Sequence, residues 1–81
     1  MKPTKVTNAI RSLRFAHGEM TQAQLADEVG VTRQTIIAIE QGKYSPSLEM
    51  AFRIARVFGV PLDDVFDYPD PASDSAAEKH S

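Results

Sequence analysis

The apolar positions of this chain recur at helical spacing, and the alternation of apolar and polar residues that marks a β-strand is almost absent. Val6, Ile10, Leu13 and His17 follow one another at intervals of four, three and four residues. This spacing places them on one side of a helix. It predicts a first helix over residues 7–17, which ends at the glycine that follows.

Two further helical patterns meet at a single glycine in the stretch TQAQLADEVGVTRQTIIAIEQGK, residues 21–43. Thr21 can cap the first of them, and Gln24 stands three positions later as its capping-box partner. Gly30 supplies the positive φ that a helix exit favours. These signals predict a helix over residues 22–29 and a tight corner after it.

The remaining helices are marked by similar signals. A threonine or serine cap precedes each of the next two, and a proline with acidic residues in the first turn marks the last. The predicted helices cover residues 33–41, 48–58 and 62–66. Residues 69–81 contain no large apolar side chain and predict a disordered acidic tail. The residues predicted for the core are Met20, Leu25, Val29, Ile36, Ile39, Leu48, Ile54 and Phe58.

Length and charge support one small domain, residues 1–68, with an uneven charge distribution. The net charge of −2 combines a balance of +3 over residues 1–60 with −5 over residues 61–81, so an acidic tail masks a basic body. No apolar run approaches the roughly 18–20 residues of a membrane span, and the N-terminal stretch lacks a signal-peptide core. We therefore expect a cytoplasmic protein, associated with the nucleoid.

The residue pattern does not favour catalysis or metal binding. The chain has no cysteine, and His17 and His80 have no second ligand at metal spacing. Asp63, Asp64 and Asp67 lack the pattern of a calcium loop. Nothing fixes a nucleophile beside a base. We expect no enzyme activity, no metal, no cofactor and no small-molecule ligand.

The corner between the second and third helices is the most informative feature. Two helices joined by a three- to four-residue turn that contains glycine form a helix-turn-helix, and the small Ala26 lets the two helices approach closely. At 100° per residue the third helix has two faces. The inward face holds Thr35, Ile36, Ile39 and Glu40, and the outward face holds Gln34, Ile37, Ala38 and Gln41, with Arg33 at its edge.

The outward face predicts DNA recognition. A rigid corner lets one helix brace against the phosphate backbone while the next enters the major groove. There, Gln34 can bond an adenine edge in two places, and Arg33 can do the same to guanine or grip a phosphate. Ile37 or Thr35 can contact a thymine methyl. A merely solvated polar face is the plainer interpretation, but an exposed β-branched residue such as Ile37 requires a groove or a partner.

The motif TQ..LA..VGVTRQTI..IE.GKYSPSL resembles the Cro/cI (Xre) family of phage and bacterial repressors, and the resemblance extends over residues 6–66. It implies an all-α, five-helix fold like the DNA-binding domain of lambda repressor, with double-stranded DNA as the partner. Short members similar to the cytolysin-operon repressor also pair an N-terminal strand with a strand after helix five. The segments TKV, residues 4–6, and FDY, residues 66–68, are the candidates for these strands.

The resemblance also implies roles for individual residues. In the family an arginine of helix one pairs with the glutamate of the motif, which implies Arg14 with Glu40. Two features depart from the family: the loop HGEM is one residue longer, and Ala38 is too short for more than a methyl contact. The base-reading candidates are Arg33, Gln34, Thr35 and Ala38 from the resemblance, together with Ile37, which lies on the outward face of the third helix. The phosphate-contacting candidates are Gln22, Thr32, Gln41 and Lys43.

An apolar patch of Leu62, Val65, Phe66 and Tyr68 ends the domain. Closure of the core is the plainer interpretation of this patch. A two-fold dimer contact is the other, and it would place two recognition helices about 34 Å apart, one turn of DNA.

The sequence therefore predicts a sequence-specific DNA-binding regulator, a repressor that binds a near-palindromic operator as a homodimer. Two alternatives use the same fold: the antitoxin of a toxin–antitoxin pair, and a protein-interaction adaptor. An antitoxin tail usually carries apolar anchors, which ASDSAAEKHS lacks. An adaptor would have indifferent or acidic residues on the face that here carries Arg33 and Gln34.

Overall fold

The computed structural model describes residues 4–43 and 45–69. The predicted disordered tail, from residue 70 onwards, and Tyr44 of the motif lie outside the described residues. The predicted fold class is confirmed: five helices and a two-stranded antiparallel pairing. In chain order the elements are β1 (Thr7–Asn8), α1 (Ile10–Ala16), α2 (Gln22–Val29), α3 (Arg33–Glu40), α4 (Leu48–Phe58), α5 (Leu62–Val65) and β2 (Phe66–Asp67).

The corner between α2 and α3 is built by local hydrogen bonds at both ends of α2. At its start, the Thr21 hydroxyl accepts from the backbone N–H of Gln24, and the Gln24 side chain accepts from the N–H of Thr21, at 3.0 and 2.8 Å. At its end, the N–H groups of Gly30 and Val31 both donate to the carbonyl of Ala26. Gly30 has a φ of 86°, a left-handed conformation in which a side chain would be strained. The chain therefore turns sharply, and α3 starts three residues after Gly30, at Arg33.

Helices α2, α3 and α4 form most of the core, and α1 and α5 close it. On α4 the buried positions are Ala51, Ile54, Ala55 and Phe58, which repeat at the spacing of a single helical face. Across the corner, α2 and α3 pack closely because Ala26, only 3% exposed, has a small side chain. The large side chains with less than 2% exposure are Ile10, Leu25, Val29, Ile36, Ile39, Ile54 and Val65.

The N-terminal segment corrects two predictions. The first helix starts at Ile10 instead of residue 7, and the first strand is Thr7–Asn8 instead of residues 4–6. Thr7 and Asn8 pair with Asp67 and Phe66 of β2. The side-chain oxygen of Asn8 then accepts from the N–H of Ile10 at 3.1 Å. This bond ends the extended segment and starts the helix.

Five other boundaries or positions differ from the predictions. The first helix ends at Ala16 instead of residue 17, and the second strand ends at Asp67 instead of residue 68. The third helix ends at Glu40, with Gln41 as its cap. The fifth ends at Val65, because Phe66 takes an extended conformation to pair with β1. Leu48 is not a core residue, since it is 68% exposed. It occupies the first position of α4, one turn before the helix reaches the core.

The longer loop between α1 and α2 is fixed by Arg14. Gly18 and Glu19 both have a positive φ, of 72° and 57°, which reverses the chain within two residues. The backbone N–H of Met20 donates to the carbonyl of Arg14 at 2.9 Å. In return, the Arg14 side chain donates to the carbonyl of Met20 at 2.9 Å. The additional residue is thus held in place from both sides.

Candidate nucleic-acid interface

The face of α3 that points away from the core carries most of the predicted DNA-contacting residues. Arg33 and Gln34, the first two residues of α3, are both exposed. Ile36 and Ile39 are buried on the opposite side and hold the helix against the core. Because these isoleucines fix the rotation of α3, Arg33 and Gln34 are presented to solvent at its N-terminal end. This is the end from which a recognition helix contacts bases.

The threonines at the start of α3 are bonded to each other. The hydroxyl of Thr32 accepts from the backbone N–H of Thr35 at 3.2 Å, and the two hydroxyl oxygens lie 2.9 Å apart. The cap predicted for Thr32 is therefore present. The Thr35 hydroxyl keeps further hydrogen-bonding capacity beside this contact, and its methyl group is available for a thymine methyl.

Ile37 and Ala38 continue the outward face. Both are partly exposed, and neither belongs to the core cluster or to the apolar residues that pack against it within the described part of the chain. An isoleucine in this position presents apolar surface to solvent beside polar neighbours. It is consistent with a contact surface, and a thymine methyl is the apolar group that a major groove offers.

The predicted ion pair between Arg14 and Glu40 is present and buried. The Nε and Nη2 atoms of Arg14 donate to Oε2 and Oε1 of Glu40 at 2.7 and 3.1 Å, and the two side chains are only 8% and 10% exposed. Gln22 joins the pair, because its Nε2 atom donates to Oε1 of Glu40 at 3.2 Å. Three side chains thus tie together α1, the start of α2 and the end of α3.

This network also fixes the orientation of Gln22, for which a phosphate contact is predicted. With one N–H of its amide bonded to Glu40, the second N–H and the carbonyl oxygen remain for other partners. Gln22 lines the same groove as Arg33. The start of α2 and the start of α3 therefore face a common space.

The segment after α3 places Gln41 and Lys43 at the other end of the helix, and both are exposed. The backbone N–H of Lys43 donates to the carbonyl of Ala38 at 2.9 Å, which fixes the turn. Asn8 adds a second support: its Nδ2 atom donates to the carbonyl of Ile39 at 3.0 Å. Periodicity alone did not indicate this role for Asn8. The available signal was an asparagine near the start of a helix, a residue type whose side chain bonds nearby backbone groups; the N-cap of α1 itself is the next residue, Ala9.

The four residues predicted for a dimer interface occupy different environments. Val65 is 1% exposed and belongs to the core of the protomer, so it presents no surface to a partner. Leu62 and Phe66 are partly buried and pack against that core. Tyr68 is 66% exposed. The surface available for a partner is therefore smaller than predicted, and Tyr68 is its most accessible member.

Within residues 4–43 and 45–69, no three His, Cys, Asp or Glu side chains come together in a group that could hold a metal ion. No helix in the same residues has the length and apolar character required to span a membrane.

A family model for helix-turn-helix proteins, HTH_3, matches residues 10–65. Among curated proteins, an uncharacterized HTH-type transcriptional regulator of Methanocaldococcus jannaschii is 54% identical over 63 residues, which cover 78% of this chain and 94% of that protein. The transcriptional repressor RstR of the cryptic phage CTXphi in Vibrio cholerae is 34% identical over 59 residues. That match covers 73% of this chain and 52% of the repressor.

A solved structure shows the same architecture. A crystal structure of a candidate DNA-binding protein from Bacteroides fragilis matches with a TM-score of 0.66 and 26% sequence identity. The match covers 76% of this chain and 98% of that chain. The helix order, the corner and the supporting ion pair described above therefore occur in a chain that is similar in sequence to HTH-type transcriptional regulators and in fold to a candidate DNA-binding protein.

Proposed function

We propose a function from one premise: this chain belongs to the helix-turn-helix family of Cro/cI (Xre) type and is a DNA-binding transcriptional regulator. The proposed function is repression of transcription, through binding of a near-palindromic operator as a homodimer. The observation that carries the proposal is the fixed orientation of α3. Ile36 and Ile39 anchor one side of the helix, and Arg33 and Gln34 are exposed on the other. The similarity to a phage repressor supports repression as the outcome.

In this proposal the base-reading residues supply discrimination. Gln34 contacts the N6 and N7 edge of an adenine, and Arg33 contacts the O6 and N7 edge of a guanine. Each good bidentate pair contributes about 1–3 kcal/mol of discrimination against the wrong base. Thr35, Ile37 and Ala38 add apolar contacts to thymine methyls.

The phosphate contacts supply affinity and register. Gln22 and Thr32 lie at the starts of α2 and α3, and Gln41 and Lys43 lie after the end of α3. They therefore flank the base-reading face on two sides. Contacts of this kind are not selective for sequence, and they weaken as salt rises because counterions are released from DNA on binding.

Selection of bound sequences from random duplex DNA tests the proposal directly. We expect a symmetric enriched motif with two half-sites about one helical turn apart. Such a motif would give both the operator and the spacing of the two recognition helices. Enrichment of no sequence at physiological salt would refute sequence-specific regulation, and an asymmetric single motif would refute the palindromic homodimer.

A pair of alanine variants separates base recognition from phosphate contact. Gln34→Ala is expected to relax specificity at one base step of each half-site by about 1–3 kcal/mol, whereas Lys43→Ala should weaken selected and random duplexes by the same factor. Fluorescence anisotropy titrations on both kinds of duplex measure the two effects. Equal losses of Gln34→Ala on both duplexes would contradict the role assigned to Gln34.

The homodimer is proposed to form through Leu62, Phe66 and Tyr68. Leu62 and Phe66 border the core, and Tyr68 extends from the end of β2 with 66% of its surface exposed. An isologous contact between two such patches has the two-fold symmetry that a near-palindromic operator requires. Phe66 also pairs β2 with β1 through its backbone, so a substitution there would disturb the protomer itself.

Tyr68→Asp is therefore the sharper test of the dimer. It places a charge on the proposed contact without removing a buried side chain, and we expect a shift from dimer to monomer in sedimentation velocity at micromolar concentration. Phe52→Asp is the matched control, because it changes another exposed aromatic residue, 54% exposed on α4. A dimer that survives Tyr68→Asp but dissociates on Phe52→Asp would transfer the interface to α4.

A further inference from the structure

We propose that a groove beside the recognition helix binds the DNA backbone that flanks the base-reading site, and that Arg11 and Phe15 of α1 equip it for this contact. The inference rests on the proposed function, and it extends the DNA-contacting surface to a helix outside the helix-turn-helix. Neither residue belongs to the contacts predicted from the sequence.

The groove has a volume of about 820 Å³ and is formed by α1, α2, α3 and the loop between α1 and α2. Arg11 and Phe15 contribute the side of α1, and Thr21 and Gln22 contribute the start of α2. Arg33, the first residue of α3, closes the far side. Because Arg33 and Gln22 belong both to this groove and to the predicted DNA-contacting set, the groove is continuous with the base-reading face.

The charges in the groove favour an anion. Arg14 and Glu40 also line it, but they neutralise each other in the buried pair with a 2.7 Å contact. The remaining charged residues of the lining are Arg11 and Arg33 against Glu19. The groove therefore carries a net positive charge beside the helix that is proposed to enter the major groove. In a helix-turn-helix complex the phosphate backbone borders that helix.

Phe15 explains how Arg11 is held at the groove. Phe15 is 54% exposed, so its ring is accessible to the neighbouring arginines. The Cζ atom of Arg11 lies 5.5 Å from the ring centroid, and that of Arg14 lies 5.7 Å from it. Both distances are within the range of a cation–π interaction. The ring thus limits the freedom of the Arg11 guanidinium, so less side-chain entropy is lost when it binds a phosphate.

Glu19 provides an internal contrast. It lies in the loop between α1 and α2 and lines the same groove, where its carboxylate would face a phosphate. If the backbone of DNA occupies the groove, this carboxylate weakens binding, and its removal strengthens it. A groove that only shapes the protein surface would show no such effect.

The test is the salt dependence of binding to the duplex obtained by selection. Arg11→Ala should reduce the magnitude of the slope of log K against log salt by about 0.9 per bound protomer. Its affinity deficit should shrink roughly 3.5-fold per protomer between 50 and 200 mM salt. Arg56→Ala is the matched control, because Arg56 is an exposed arginine on α4 that lines a different depression. We expect it to leave the slope unchanged.

Three further single variants and one double variant test the arrangement. Phe15→Leu should weaken DNA binding roughly two- to fivefold, whereas Phe15→Tyr, which keeps an aromatic ring, should retain the affinity of the unmodified protein. In the double variant, Phe15→Leu should cause no loss of affinity beyond that of Arg11→Ala, because the ring acts through this arginine. Glu19→Gln should raise affinity. Thermal unfolding of Arg11→Ala and Glu19→Gln should match that of the unmodified protein, since both positions are exposed. Phe15→Leu also removes the contact between the ring and the buried Arg14, so its affinity is compared at a temperature where the variant is folded.

The outcomes distinguish this inference from the proposed function. If the unmodified protein selects no duplex, sequence-specific binding itself is refuted. If it selects one, but Arg11→Ala and Arg56→Ala give the same slope, only the groove is refuted. Additive losses of Arg11→Ala and Phe15→Leu would contradict the positioning role of Phe15, and unchanged affinity of Glu19→Gln would contradict a phosphate in the groove.

Discussion

Glu40→Ala is expected to lower the free energy of unfolding by about 3–5 kcal/mol, because it leaves the buried guanidinium of Arg14 without its counter-charge. Arg14 is 7% exposed and donates twice to Glu40, at 2.7 and 3.1 Å. After the substitution, its bond to the carbonyl of Met20 is the one that remains. Domains of this size are stabilised by about 4–12 kcal/mol. Urea denaturation followed by circular dichroism should therefore show the variant close to unfolding.

Glu49→Ala is the matched control for that result. Glu49 pairs with Arg53 at 3.0 Å, but the two side chains are 77% and 58% exposed. An exposed pair at this spacing contributes about 0.3–0.5 kcal/mol, so the same substitution should have a much smaller effect. Equal losses at the two positions would contradict the argument that burial makes the Arg14–Glu40 pair critical.

A double variant separates the charge from the packing. Arg14→Met combined with Glu40→Leu removes both buried charges and keeps apolar volume, so it should recover most of the stability that Glu40→Ala loses. Affinity for DNA should stay reduced in the double variant, because Gln22 has lost the acceptor that positions its amide. Stability and DNA binding would then respond differently to the same network.

Helices whose ends are both marked by side-chain chemistry could be predicted to the residue. The second helix starts after Thr21 and ends before Gly30, and the fourth starts after Ser47 and ends before Gly59. In each case the cap needs a particular residue type: a hydroxyl to accept the free N–H groups, or a glycine to adopt a positive φ. These requirements are local, so the sequence states them directly.

The N-terminal boundary could not be predicted in the same way. Thr7 and Asn8 form a strand because they pair with residues about 60 positions later in the chain. A two-residue strand has no periodicity of its own, and the apolar spacing of Val6 and Ile10 continues the helical pattern through it. The long-range pairing decides the outcome, and the local pattern does not contain it.

The candidate site also has one part that local sequence patterns predict and one part that they do not. The inward and outward faces of α3 follow from its period, and burial of Ile36 and Ile39 agrees with them. The groove beside Arg11 and Phe15 could not be predicted from helical periodicity, because its shape depends on how the loop after α1 folds. Gly18 and Glu19 reverse the chain there with consecutive positive φ angles, and an exposed glutamate gives no sequence signal for that conformation.

Ile36→Ala and Ile37→Ala are the same chemical change at adjacent positions, but we expect the first to lower mainly stability and the second to lower mainly affinity for DNA. Ile36 has no exposed surface, so its truncation should cost about 2–5 kcal/mol of stability while leaving specificity intact at temperatures where the protein is folded. Ile37 is partly exposed on the outward face. Its truncation should cost less than about 1 kcal/mol of stability, but weaken the selected duplex roughly four- to fifteenfold, as expected for one or two lost methyl-sized contacts.

Chemical denaturation and DNA titration of both variants provide the two measurements. The comparison is decisive because one rotation of α3 determines both outcomes: the rotation that buries Ile36 directs Ile37 towards the proposed major-groove contact. If Ile37→Ala lost as much stability as Ile36→Ala and retained full affinity, the outward face would be packed against protein. Arg33 and Gln34 would then no longer share a surface with it, and their assigned contacts to bases would fail with it.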